Sequence, residues 1–355
     1  MTTPTTCEMT SKTSFETLAP PPGMPKFPAL DGWRGISILL VLAGHLFPLG
    51  PKRWDLNAPT ASLGMVLFFT LSGFLITSTL LYRPNVRVFL IRRLCRIVPI
   101  AWLYTLIALA VVKAAWPAWP AQFLFYANLP PFWLTAHTGH LWSLCVEMQF
   151  YVALALGFAI LGRRVLWGIP VLCLLVTAHR IETHTLVSIV TSLRVDEILA
   201  GGTLALICHG SQGVFRKARR FLTWANPLLL LPLVAASCHP RFGALDYARP
   251  YLAAAMVGTT LLSSDTRFSR FLQTRWLAYV AAISYALYIF HPMVQCGWLE
   301  TGTKIAIYAK RMPALVAVFG LAHLSTFYFE AYWIRLGKSW SKRYSRDLTK
   351  RSTAL

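Results

Sequence analysis

Ten apolar stretches, each near the roughly 17 to 25 residues a helix needs to cross a bilayer, constrain this chain more than any other feature. They lie near residues 33–50, 62–82, 97–115, 141–161, 164–179, 186–209, 223–239, 248–264, 276–299 and 312–335. The chain is 56% hydrophobic and only 13% charged, against about 25% charged in an average globular domain. So little polar surface cannot cover so many such helices in water. The expected fold is an all-α polytopic membrane protein of about ten transmembrane helices. Between the third and fourth stretches, residues 117–138 are aromatic and broken by Pro117, Pro120, Pro130 and Pro131, which reads as an interfacial or re-entrant loop.

Charge sets the expected orientation. The chain carries 34 Lys and Arg against 13 Asp and Glu, a formal net charge of +21, and basic residues accumulate on the cytoplasmic side of membrane proteins. With ten spans and a cytoplasmic N-terminus, 22 basic residues fall in inner segments and 8 in outer loops, the other four lying in or beside spans. Both termini are therefore expected in the cytoplasm. On a soluble domain such an excess would suggest nucleic acid, but the polar surface for a basic stripe is missing, so no nucleic-acid partner is expected. Residues 1–29, rich in Thr and then Pro, lack a basic and apolar leader pattern and read as a disordered cytoplasmic tail. Residues 30–337 form the membrane domain, and 338–355 read as a basic cytoplasmic tail. The seven cysteines are scattered singly with no zinc-like spacing, so no metal site is expected.

Ionisable side chains within apolar helices cost roughly 2.5 to 3.5 kcal/mol each on insertion scales and mark functional sites by default. Arg34 and His45 in the first stretch are eleven residues apart, three turns plus about 20°, so they share one helix face about 16 Å apart. They suit the two ends of one long ligand; equally, His45 could be bonded inside the bundle while Arg34 snorkels. In the fourth stretch His140, Ser143, Glu147 and Tyr151 step by 3, 4 and 4 and form a polar stripe suited to a wet cavity. Ser284, Tyr288 and His291 make a similar stripe in the ninth. In the sixth, Arg194 and Glu197 are spaced to pair beside Asp196, either as a structural ion pair or with a direct role. Arg92, Arg93 and Arg96 lead into the third stretch; Arg suits bidentate phosphate binding, although topology signalling and anionic lipid explain the cluster as well.

Together these stretches resemble the membrane-bound acyltransferase-3 family. Its Arg and His with ten residues between them are matched by Arg34 and His45, beside Asp31 in Leu30-Asp31-Gly32-Trp33-Arg34-Gly35. Its glycine and double-phenylalanine signature is similar to Gly64-Met65-Val66-Leu67-Phe68-Phe69 and Ser72-Gly73-Phe74, and its basic third-helix motif to Arg92-Arg93-Leu94-Cys95-Arg96-Ile97-Val98-Pro99. Its Trp-Ser-Leu motif with a following Glu is matched by Trp142 to Glu147, and its Ser-Tyr, Leu-Tyr, His motif by Ser284 to His291. The chain departs from many members at Met148, where they carry a second Glu, and at Ala286, where they carry a polar residue; it resembles the stand-alone type without a fused hydrolase-like domain.

The resemblance implies transfer of an acyl group, usually acetyl, from acyl-CoA as co-substrate to a hydroxyl of a carbohydrate-containing acceptor at the bacterial inner membrane, with no permanently bound cofactor. Arg92, Arg93 and Arg96 would hold the donor phosphates and Arg34 guide the donor arm. His45 would deprotonate the acceptor hydroxyl with Glu147 orienting the imidazole, or else carry the acyl group itself. Asp31, His140, Ser143, Asp196, Ser284, Tyr288 and His291 are candidates for lining the cavity or contacting the acceptor. The competing expectation is a multipass exporter of an anionic or amphiphilic metabolite, although no repeat or pair of broken helices supports it.

Overall fold

The computed structural model describes residues 27–210, 213–263 and 266–353. The expected disordered tail therefore lies, up to residue 26, outside the described residues. Among the described residues every element is helical. The longer helices are α1 (Ala29–Leu46), α2 (Asn57–Tyr82), α3 (Val86–Val111), the short α4 (Ala118–Phe123), α5 (Trp142–Leu161), α6 (Ile169–Glu182) and α7 (Asp196–His209). They continue as α8 (Gly213–Trp224), α9 (Pro227–Ser237), α10 (Arg249–Leu262), α11 (Arg267–Leu272), α12 (Arg275–Phe290), α13 (Lys304–Leu324) and α14 (Ala331–Thr353).

Each of the ten expected spans coincides with a helix, but their lengths differ from the expectation. Among the described residues six helical runs are long and apolar enough to cross a membrane, or seven if α7 and α8, bent by 97°, count as one. The expected seventh span holds only the 11-residue α9, with Pro232 inside it, about 16 Å at 1.5 Å per residue. Fourteen-residue α7 and α10 are also short. Most of α7 is buried within the bundle, where neighbours rather than lipid cover it. The 117–138 segment holds one six-residue helix and turns, fastened by bonds from the Gln149 amide to the Phe125 carbonyl and the Asn128 side chain (both 2.8 Å).

Close approach of α1, α2 and α7 builds the centre. At Gly64 a Cβ would lie 2.6 Å from the Ser37 carbonyl of α1, and at Gly73 1.8 Å from the Ile198 carbonyl of α7. Small residues at such crossings let backbones approach where lipid supplies no hydrophobic drive. Ser37 Oγ uses that proximity to donate to the Gly64 carbonyl at 2.7 Å.

The expected basic tail is part of a helix. A π-helical turn at Ser325–Glu330 joins α13 to α14, and α14 then packs along the start of α3. Arg92 Nε donates to Ser341 Oγ at 3.0 Å and Arg87 to Tyr344 OH at 3.0 Å. The beginnings of α1 and α3 and the basic α14 thus share one end of the bundle. His45 and the 291–300 segment lie at the other.

Candidate active site

The histidine end is built around the finish of α1. The last carbonyls of a helix have no partner within it, and here side chains from distant segments supply the donors. Asn57 Nδ2 donates to the Gly44 and Phe47 carbonyls (2.7 and 2.6 Å), Gln295 Nε2 to that of His45 (2.5 Å) and Arg311 Nη1 to that of Leu46 (2.8 Å). Arg311 is itself held by Glu300 at 2.7 Å. His45 is therefore anchored through its own backbone, while its side chain remains exposed.

His45 Nδ1 lies 3.1 Å from Nε2 of His291, which is 2% exposed. The His140 ring is 5.3 Å from that of His291 and 5.4 Å from that of Tyr288, in edge-on arrangements. His140 Nε2 is buried without a hydrogen-bond partner. Ser143 and Tyr288 join through their hydroxyls at 2.5 Å. Three histidines from α1, the turn before α5 and the end of α12 thus gather around one spot.

A narrow cleft with about 20 Å³ of free volume lies along α1 between this cluster and the basic end. It is lined by Arg34, Ser37, Val41, Phe68, Ser284 and Tyr288 among others, and so follows the α1 face that carries Arg34 and leads to His45. At the basic end Arg34 lies within electrostatic reach of Asp31, Arg93 and Glu147, and Arg96 within reach of Arg34, Arg93 and Glu330. Among the described residues none of these three guanidinium groups makes a salt bridge to a carboxylate. Converging cations without a bonded acid favour an anionic ligand.

Three expected roles are redrawn by this geometry. Arg92 does not join Arg93 and Arg96; it turns to Ser341. Glu147 does not orient His45: its Oε1 accepts from Ser72 Oγ and from Tyr151 OH at 2.5 Å. Seven residues beyond His140, it lies about 10 Å further along. Asp196 is wholly buried in another cluster, held by Arg180 at 2.5 Å, and the same cluster joins Arg180, Asp246, Arg249, Glu197 and Arg194. Ser284 lines the cleft but donates its own hydroxyl to the Ala281 carbonyl at 2.8 Å.

Sequence reasoning missed Glu330. Buried at the end of the π-turn, it accepts from Ser325 and Thr326 (3.3 and 3.1 Å) and faces Arg96. A lone acid at the edge of an apolar stretch gives no sign of its partner, and the extra residue of a π-turn shifts the face that periodicity would assign. No group of three or more His, Cys, Asp or Glu among the described residues forms a metal-binding cluster.

A family model described as an acyltransferase domain matches residues 27–331. A peptidoglycan O-acetyltransferase of Listeria monocytogenes is 24% identical over 311 residues, covering 74% of this chain and 48% of that protein. A Staphylococcus aureus protein of strain COL, named as a candidate O-acetyltransferase, is 28% identical over 221 residues, covering 51% of this chain and 34% of its own. The chain thus spans about half or less of the length of these curated relatives. No solved structure matches it.

Proposed function

The chain belongs to the acyltransferase-3 family, and on that premise we propose that it moves an acetyl group from acetyl-CoA on the cytoplasmic side to a hydroxyl of a carbohydrate-containing acceptor. The carrying observation is the cleft along α1 from Arg34 to Tyr288, with Arg93 and Arg96 in electrostatic reach of Arg34 and His45 about one turn beyond Val41 of its lining. The roughly 16 Å between Arg34 and His45 is on the order of an extended pantetheine arm. Nucleotide phosphates held by the arginines would place the thioester beside the imidazole.

His45 then takes the proton of the acceptor hydroxyl as its oxygen attacks the thioester carbonyl carbon. The tetrahedral adduct collapses, the C–S bond breaks, and CoA leaves as the thiol with the proton returned by His45. The products are the O-acetyl ester and free CoA. The exposed imidazole at the end of α1 receives the acceptor from the outer side, while the donor arm occupies the cleft. Cell-surface polysaccharides and their lipid-linked precursors have the required hydroxyls, and the Listeria relative is named for acetylating peptidoglycan. The site is that of the bacterial inner membrane, where cytoplasmic CoA and lipid-linked sugars meet.

Membranes carrying the protein should release thiol from acetyl-CoA when a mixture of lipid-linked and surface glycans is supplied. His45→Ala should lower that rate by about 10²- to 10⁴-fold, the range for loss of a general base, and Arg34→Ala should mainly raise KM. Equal release by all three proteins would overturn the reading.

A further inference from the structure

We infer that His291 is a positioning residue that holds His45 in the tautomer whose Nε2 is free of a proton. The inference deepens the proposed acyl transfer and rests on it only for its kinetic arm. His291 Nδ1 lies 2.8 Å from the Tyr288 carbonyl. A carbonyl oxygen only accepts, so Nδ1 carries the hydrogen. In the neutral ring Nε2 is then an acceptor, and its partner at 3.1 Å, Nδ1 of His45, must be the donor. With its hydrogen on Nδ1, neutral His45 presents a lone pair at Nε2.

Ring geometry agrees with a directional bond. The two imidazoles are within 9° of parallel and their centroids are 5.1 Å apart. A 3.1 Å contact between ring nitrogens spans so large a separation only if each nitrogen points at the other along the line of centres. The rings are therefore nearly coplanar, and the lone pair of one meets the N–H of the other edge to edge.

His291 does here what a carboxylate does behind the histidine of a hydrolase: it fixes tautomer and orientation through the far nitrogen. It is a neutral partner rather than an anion. When His45 Nε2 takes the acceptor proton, the ring becomes an imidazolium whose Nδ1–H still points at the His291 lone pair, so the new charge is shared across the bond. The Tyr288 carbonyl, accepting from His291, steadies the far side.

The test uses the full-length protein in detergent. Carbethoxylation of His45 by diethyl pyrocarbonate, followed by peptide mass spectrometry, reads the unprotonated nitrogen without any acyl transfer. His291→Leu should slow labelling of His45 several-fold and lower kcat by about 10- to 100-fold, the range for losing an outer partner of a functional histidine, with KM for acetyl-CoA unchanged. His291→Gln, whose amide oxygen can accept from His45 Nδ1, should recover most of both. Thermal midpoints of the two variants keep a folding defect apart from a chemical one. Equal labelling of His45 in wild type and His291→Leu, or equal impairment of the Leu and Gln variants at matched stability, would overturn the inference. Labelling that follows the expected order in a protein that releases no CoA would instead sink the proposed acyl transfer and leave the positioning intact.

Discussion

Arg92, Arg93 and Arg96 stand within five residues of one another, yet only Arg93 and Arg96 act electrostatically with Arg34. At 100° per residue Arg92 lies about 40° and Arg93 about 60° from Arg96, on opposite sides of it, so helix phase alone does not set Arg92 apart; its hydrogen bond to Ser341 does. A charge-assisted hydrogen bond is worth about 1.5 to 3 kcal/mol, so Arg96→Ala should raise KM for acetyl-CoA by about tenfold or more, while Arg92→Ala should change it by less than about twofold. Equal effects in a CoA-release assay would remove the separation. The offset of about 10 Å that keeps Glu147 from the level of His140 was legible in the sequence; the bond that draws Arg92 to Ser341 was not. What was not legible is partnership across helices: nothing in the chain announces that His45 meets His291, that Ser72 meets Glu147, or that Glu330 faces Arg96. Each depends on how two helices are turned toward one another, which a period along a single helix does not specify.

The positions of the helices were legible because each apolar stretch has to bury or be covered by lipid; their lengths were not. Buried α7 is surrounded by protein and needs no bilayer-length run, so a 14-residue helix suffices. The crossing of α1 and α2 shows what the sequence did encode at this scale: Gly64 is placed where any side chain would strike Ser37 and Val41 of the neighbouring helix. Gly64→Val should force the two helices apart and destabilise the protein by about 1 to 3 kcal/mol, the usual range for overpacking. A thermal midpoint unchanged from wild type would show that α1 yields easily. Because α1 carries both Arg34 and His45, the same variant should lower CoA release as well.

The basic ends of α1 and α3, together with α14, lie on one side of the molecule, as expected of the cytoplasmic face. Trypsin added to inside-out vesicles should cut at exposed Lys342, Arg343 or Arg346 of α14, and the same sites should survive in right-side-out vesicles. The reverse pattern would invert the topology and with it the side from which donor enters. At the opposite side, Asn57, Gln295 and Arg311 reach from three separate segments to the last carbonyls of α1. This fastening limits how the molecule can diversify. A change in the segments that carry those three side chains disturbs the anchorage of His45, whatever it does to an acceptor. Residues 112–136, 183–193 and 238–245 carry none of these caps, so substitution or grafting there leaves the anchorage of His45 in place.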